Sequence, residues 1–172
     1  MDIRLGIDPG LNGAISFVGD SVDEIFFVDM PVKNAHWIAP KKNKKGKLIY
    51  KKMVDAEQLF NIIKNCPYNI ISTNIEVVHS MPKQGVSTTF TFGGSFYTAI
   101  TVIDLLGYEL NFIQPATWKR KFGLIGHSKD MSRQLLLSIY PGLQPKLNLK
   151  KHCDRADAFF IAIANENQTR LV

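Results

Sequence analysis

Ile3-Arg4-Leu5-Gly6-Ile7-Asp8-Pro9-Gly10-Leu11-Asn12-Gly13-Ala14-Ile15-Ser16-Phe17-Val18 is the stretch that decides the fold. Residues 3–8 form a short apolar run ending in Asp-Pro-Gly, and residues 14–18 resume a strand pattern. Between them lies turn chemistry: proline presets φ, while glycine and asparagine tolerate conformations that other residues avoid. The two runs are expected to pair as a hairpin. The sharp turn after Asp8 leaves its carboxylate at the edge of the sheet rather than within it.

Working outward, residues 24–29 read as a third strand beside the hairpin. Val54, Leu59, Ile62 and Ile63 recur at helical spacing over 54–65, and Cys66-Pro67 closes that helix. Residues 70–78 are rich in β-branched side chains and suit a buried central strand, with Glu76 near its C-terminal end. A Gly-, Ser- and Thr-rich loop is expected over 80–94, then a helix over 96–106 stopped by Gly107 and a strand over 109–113. Gln114-Pro115 opens a short helix through Trp118, and helical patterns follow over 129–140 and 154–164. Three strands followed by helices alternating with strands predict an α/β fold. Its mixed central sheet has an antiparallel three-strand edge and helices on both faces.

At 172 residues, with 45% apolar and 21% charged content, the chain is expected to form one compact domain over 1–172. No apolar run is long enough to span a bilayer, and the N-terminus lacks the basic-then-apolar layout of a signal peptide. Cys66 and Cys153 make no disulfide framework and lack zinc-like spacing, so a reducing, cytoplasmic setting is expected. The formal net charge of +6 and pI near 9.3 favour an anionic partner, nucleic acid first, with solubility as the plainer explanation.

One segment departs from the pattern. Pro31 to Lys52 holds Lys33, Lys41, Lys42, Lys44, Lys45, Lys47, Lys51 and Lys52 around a weak apolar centre at Leu48-Ile49-Tyr50. It reads as a basic insertion that repels itself and stays mobile without a polyanion nearby. Phosphate contacts are expected of it, from Lys41, Lys42, Lys44 and Lys45 in particular; a solvated loop is the alternative.

Four acids carry the chemistry. Asp8 ends the first strand and Glu76 the long central one, and parallel neighbours present their C-terminal ends on the same side. Asp154 and Asp157 are three apart at the start of a helix, so they share a face. The rest of that helix, Ala156 to Ile163, is nearly continuous apolar surface that must pack on the sheet. Packing it there carries its first turn over the strand ends bearing Asp8 and Glu76. Carboxylates in such surroundings need a compensating cation or hydrogen-bond network. An all-oxygen donor set suits Mg²⁺ or Mn²⁺, not zinc. Two such ions about 4 Å apart can activate water and stabilise the leaving oxygen in phosphodiester hydrolysis, and Asp8 is the candidate to hold both. Taken singly, Asp154 and Asp157 are also what a helix N-terminus favours.

Lys119 and Lys129 are candidates to offset charge on the transferring phosphoryl oxygens, or plain solvent-facing lysines. His79 and His152 are candidate assistants, more often hydrogen-bonding neighbours than catalysts. In the expected 80–94 loop, Met81, Phe90 and Phe92 are placed either to stack on unpaired bases or to start the next helix's core.

With these residues the chain resembles the RuvC-type Holliday junction resolvases of the ribonuclease H-like superfamily. The matching pieces are Gly6-Ile7-Asp8-Pro9-Gly10, Ile75-Glu76, Pro115-Ala116-Thr117-Trp118-Lys119, Ser128-Lys129 and Asp154-Arg155-Ala156-Asp157-Ala158, in order along the chain. The lysine-rich insertion and Met81-Pro82-Lys83-Gln84-Gly85 look closer to bacteriophage or viral-type members, which implies the cytoplasm of a host. The resemblance implies a homodimer that resolves four-way DNA junctions by paired symmetric nicks, using two Mg²⁺ ions per active site, with Mn²⁺ as substitute. It carries the metal-ligand role onto Asp8, Glu76, Asp154 and Asp157, with His152 a rival to Asp154, and supporting roles onto Lys119 and Lys129. It places dimerisation at roughly 96–106 and DNA contacts at Phe90, Phe92 and Lys83. No small-molecule cofactor and no membrane are implied. A broader flap or branched-DNA endonuclease and a non-catalytic junction-binding protein are the alternatives. A sugar-kinase-like ATPase needs a second nucleotide-binding lobe for which 172 residues leave little room.

Overall fold

A computed structural model describes residues 1–80 and 83–165. The chain opens with β1 (Asp2–Ile7), β2 (Ala14–Val18) and β3 (Ile25–Asp29). The Asp8 amide donates to the Ala14 carbonyl at 3.0 Å and closes the first hairpin where turn chemistry placed it. The basic insertion follows as β4 (Val32–Asn34), β5 (Lys41–Lys42), β6 (Leu48–Ile49) and β7 (Lys52–Val54). Then come α1 (Ala56–Lys64), β8 (Asn69–Glu76), α2 (Val86–Leu105), β9 (Leu110–Ile113), α3 (Pro115–Lys121), α4 (Met131–Ile139) and α5 (Cys153–Ala162).

The main sheet has the order β3-β2-β1-β8-β9. β1 pairs antiparallel with β2, and β2 with β3, while β1–β8 and β8–β9 are parallel. The antiparallel three-strand edge and mixed sheet are as the sequence predicts, and they make the fold ribonuclease H-like.

Alternation along the strands divides the interior in two. Ile3, Leu5, Ile7, Ile15, Phe17 and Ile75 face α1 and α2, where they pack with Leu59, Ile63, Phe96, Ala99 and Ile103. Val18, Ile25 and Ile113 belong to the second core, with Trp118, Leu136 and the apolar run of α5. Helices therefore cover both faces. Among the described residues none of them is long and apolar enough to cross a membrane.

Two expectations need correction. The 80–94 stretch is not a loop throughout: α2 begins at Val86, ten residues before the expected start at Phe96, so Phe90 and Phe92 stand on a helix. Met81 lies outside the described residues. Serine, threonine and glycine are weak helix formers, which is why the sequence reads as loop. Here the hydroxyls of Thr89, Thr91, Ser95, Thr98 and Thr101 turn back to carbonyls four residues earlier, so their polarity is satisfied within the helix.

The insertion, in turn, is not an unstructured excursion. β4 pairs with β7 and β5 with β6, both antiparallel, forming a two-tier ribbon. Asn43 caps its tip by accepting from the amides of Lys45 and Lys47 at 2.9 Å each. At its base, Lys33 donates to the N-cap acid Asp55 at 3.0 Å, which offsets one of the lysines locally.

What fixes the second layer is a close approach. Gly6 lies beneath α5, and a Cβ there would intrude on the backbone of Ala158 and Ala162. Asn74, fully buried on β8, donates to the carbonyls of Ile161 and Ala162 at 2.9 and 2.8 Å. Arg155 grips Asp29 at the end of β3 through two bonds of 2.6 and 2.9 Å. Replacing Gly6 by alanine is expected to cost about 2 kcal/mol or more, because rigid backbone stands where the methyl must go. Urea unfolding of the variant checks this, and an unshifted midpoint contradicts the close approach.

Candidate active site

The register brings the acids level. Ile7 lies opposite Ile75, so Asp8 and Glu76 stand at the same end of adjacent parallel strands. α5 crosses that end with its first turns, carrying Asp154 and Asp157. Carboxylate oxygens of Asp8, Asp154 and Asp157 all lie within 4.8 Å of one another. Glu76 lines the same pocket of about 350 Å³, together with Lys119, Lys129 and Phe92. It stands outside the closest three, however. Its Oε1 accepts a 2.8 Å hydrogen bond from the Trp118 indole Nε1.

The sequence reading missed that tryptophan bond, although its signal was present: a large aromatic with a polar edge buried beside an acid needs a partner. Trp118 is almost fully buried, stacks parallel to Phe160 and carries the Lys119 ammonium 5.1 Å from its ring centroid. α3 therefore positions both Glu76 and a cation at the rim. Lys129, just before α4, reaches Asp154 Oδ1 at 2.6 Å. Among the described residues this is the one ion pair made by the four acids.

Electrostatics reflect burial first and the crowding of like charges second. Burial, then the neighbouring Glu76, pushes Asp8 up to about 7, although the Gly10 amide donates to it at 3.2 Å and opposes the rise. Asp157 is raised to about 6, first by burial and then by Glu76 and Asp154, with Ser132 and Lys119 acting the other way. Burial also raises Glu76, against Trp118, Lys119 and Lys129. At Lys129 burial pulls the ammonium down, but the bond to Asp154 and the surrounding carboxylates outweigh it and the net shift is upward. Several carboxylates crowded in a half-buried pocket favour an additional cation. The donors are all oxygen, so the chemistry of the set fits hard divalent ions.

The histidines do not join this centre. His152 is buried beside it but faces its own backbone, its Nδ1 accepting from the Leu149 amide at 3.4 Å. His79 pairs with Gln114 at 2.9 Å. It is Asp154, not His152, that stands with Asp8 and Asp157. Of the two aromatics, Phe92 lines the acidic pocket and Phe90 does not; the Phe90 ring sits 5.8 Å from the Lys51 ammonium. Lys83 is exposed, with a left-handed φ of 68°, in the turn before α2. Lys41, Lys42, Lys44 and Lys45 occupy the outer tier of the ribbon and do not line the pocket.

Among known proteins the chain is similar to the chloroplastic Holliday junction resolvase MOC1 of Chlamydomonas reinhardtii, 33% identical over 89 residues. This partial similarity agrees with the resemblance read from the motifs. The match covers 51% of this chain but only 10% of that relative's length. No family model matches the chain. Two solved structures of Thermus thermophilus RuvC are also similar. The one in complex with a Holliday junction substrate aligns over 94% of this chain and 91% of its own at 11% identity, with a TM-score of 0.48. The other aligns over 94% and 92% at 14% identity, with a TM-score of 0.49.

The raised acids give a sign to the pH dependence of stability. A carboxyl with a folded-state pKa above its unfolded value of 3.8 binds its proton more tightly when folded. Its contribution is therefore lost as pH rises from about 4 to about 7. His152, whose pKa burial lowers, works in the opposite direction around its ordinary 6.5, so comparison with Asp8→Asn isolates the acidic centre. Without divalent ions, the variant is expected to melt above the native protein by roughly 3–8 °C at pH 8, with little difference at pH 4. Ca²⁺ should raise the native melting temperature at pH 8 and leave the variant nearly unchanged. Superimposable melting curves across the pH range count against the crowded centre.

Proposed function

We propose that the chain is a divalent-metal-dependent, structure-selective DNA endonuclease that resolves four-way junctions by paired symmetric nicks. The observation that carries this reading is the convergence of Asp8, Asp154 and Asp157, with Glu76 lining the same pocket, inside a chain of net charge +6. The partial sequence similarity to a protein named a Holliday junction resolvase supports the choice of substrate. Residues 1–172 are read as one nuclease domain that includes the ribbon.

Asp8, Asp154, Asp157 and Glu76 would hold two Mg²⁺ ions, with Mn²⁺ as substitute. When bound, such ions make water a competent nucleophile at neutral pH and offset charge on the leaving oxygen. The protein's own groups do the rest. Trp118 holds Glu76 to one side, and Lys129 neutralises part of Asp154. Lys119 and Lys129 present positive charge to the phosphoryl oxygens, where it stabilises the negative charge that develops in the transition state. Phe92 offers an aromatic face to an unpaired base at the rim, and Lys83 and the outer lysines Lys41, Lys42, Lys44 and Lys45 offer charge to the flanking backbone. A general flap or branched-DNA nuclease uses the same centre; the named relative favours the junction.

Paired nicks require two centres, and the outer face of α2 supplies a surface for a second copy. Val86, Phe90, Tyr97 and Leu105 are exposed at 87%, 77%, 68% and 73%, and their spacing places them along one side of the helix. Gly93 and Gly94 lie on the same side with open space above them, which permits close helix–helix approach. We therefore read the protein as a homodimer through α2.

Asp8→Asn is expected to reduce Mg²⁺-dependent cleavage of a synthetic four-way junction by at least about 1,000-fold, as for loss of a transition-state electrostatic group. Junction binding should persist or tighten in a gel-shift assay, and wild-type cleavage by the variant refutes the site. Tyr97→Arg should sediment as a folded monomer; an intact dimer removes the assignment of that face.

A further inference from the structure

A second concavity adjoins the acidic pocket and carries charge that the proposed chemistry leaves unused. An open cavity of about 460 Å³ lies between β7 and the N-terminal half of α2, bounded by Lys51 and Lys52 on one wall and Ser87 and Thr88 on the other. Leu11 and Phe92 line both this cavity and the acidic pocket, so the two are contiguous. The Lys51 ammonium donates to Ser87 Oγ at 3.2 Å, bridging the two walls. An ammonium has three donors, so this bond leaves capacity for a further acceptor. Among the described residues neither Lys51 nor Lys52 forms an ion pair with a carboxylate.

A DNA strand crossing the acidic centre must leave it in two directions, and each exit needs charge of the opposite sign to its phosphates. On one side Lys119 and Lys129 line both the acidic pocket and a cavity of about 380 Å³ beyond it. On the other side, past Leu11 and Phe92, the cations lining the next space are Lys51 and Lys52. The four lysines of the ribbon's outer tier line neither the acidic pocket nor this cavity. We propose that the cavity between β7 and α2 is a phosphodiester-backbone subsite, in which Lys51 and Lys52, aided by the Ser87 and Thr88 hydroxyls, hold the substrate strand beside the scissile position. The subsite rests on the reading of the acidic pocket as a DNA-cutting centre. It assigns the inner end of the insertion a fixed register on the DNA, while the outer tier contributes charge without register.

The test measures junction binding by the full chain in EDTA, where nothing is cut, over a range of salt concentrations, together with phosphate-ethylation interference. The double variant Lys51→Gln/Lys52→Gln is compared with Lys44→Gln/Lys45→Gln, which removes the same charge from the outer tier. The first should lower the slope of log affinity against log salt by about 2. It should also abolish interference at a confined run of phosphates. The second should weaken binding and keep that run. An unchanged interference pattern in Lys51→Gln/Lys52→Gln, or the same pattern change in both doubles, overturns the subsite. If the native protein binds with the Lys51-dependent pattern but cuts no branched DNA in Mg²⁺, the nuclease reading fails and with it the placement beside a scissile phosphate, while the backbone contact at Lys51 and Lys52 stands. If it cuts normally and the pattern ignores Lys51 and Lys52, the subsite fails alone. Absence of any DNA binding overturns both.

Discussion

The seating of α5 on the sheet is the constraint from which the rest follows. Only a residue without a side chain lets the backbone of Ala158 and Ala162 come so close to β1, and Gly6 is that residue. Asn74 then ties the end of α5 to the central strand, and Arg155 ties its beginning to Asp29 at the far edge. Held at both ends, the helix has little freedom to slide. Asp154 and Asp157 are thereby delivered to the strand end that carries Asp8 and Glu76. A helix displaced by even one turn would move its acids by about 5.4 Å and scatter the cluster.

That seating comes at an electrostatic cost, which is the functional content of the site. Three carboxylates are gathered within 4.8 Å, and Lys129 pairs with one of them. Burial first, and the neighbouring carboxylates second, hold Asp8 and Asp157 above the usual carboxylate range. Much of the chain's basic character lies in the ribbon, whose outer lysines stay clear of the acidic pocket, while Lys119 and Lys129 line it.

The ribbon and α2 build the other side of the same surface. α2 is long, rich in hydroxyls and glycine, and has two working faces. One packs Phe96, Ala99 and Ile103 into the core, while the other leaves Val86, Tyr97 and Leu105 to solvent. Its first turns also form a wall opposite Lys51. The segment is helical despite poor intrinsic propensity, with its hydroxyls satisfied on carbonyls of its own helix.

Much of the fold was legible from local chemistry. The β1–β2 hairpin is written in Asp8-Pro9-Gly10 and Gly13, the central strand in the β-branched run before Glu76, and α5 in its unbroken apolar surface. The four acids were identifiable because each interrupts a stretch that otherwise asks for burial. Propensity failed in two places: α2 starts ahead of its expected N-terminus through a run of serine, threonine and glycine, and the lysine-rich segment pairs its own strands across the ribbon. What the sequence by itself determined is which side chains carry charge at the ends of buried elements, since that depends on spacing of two and 3.6 residues along one chain. What only the tertiary structure decided is which of them meet. Asp154 rather than His152 joins Asp8, Glu76 is drawn aside by Trp118, and Lys51 faces Ser87. These are contacts between segments far apart in sequence, fixed by the packing of helices on the sheet and not by any local pattern.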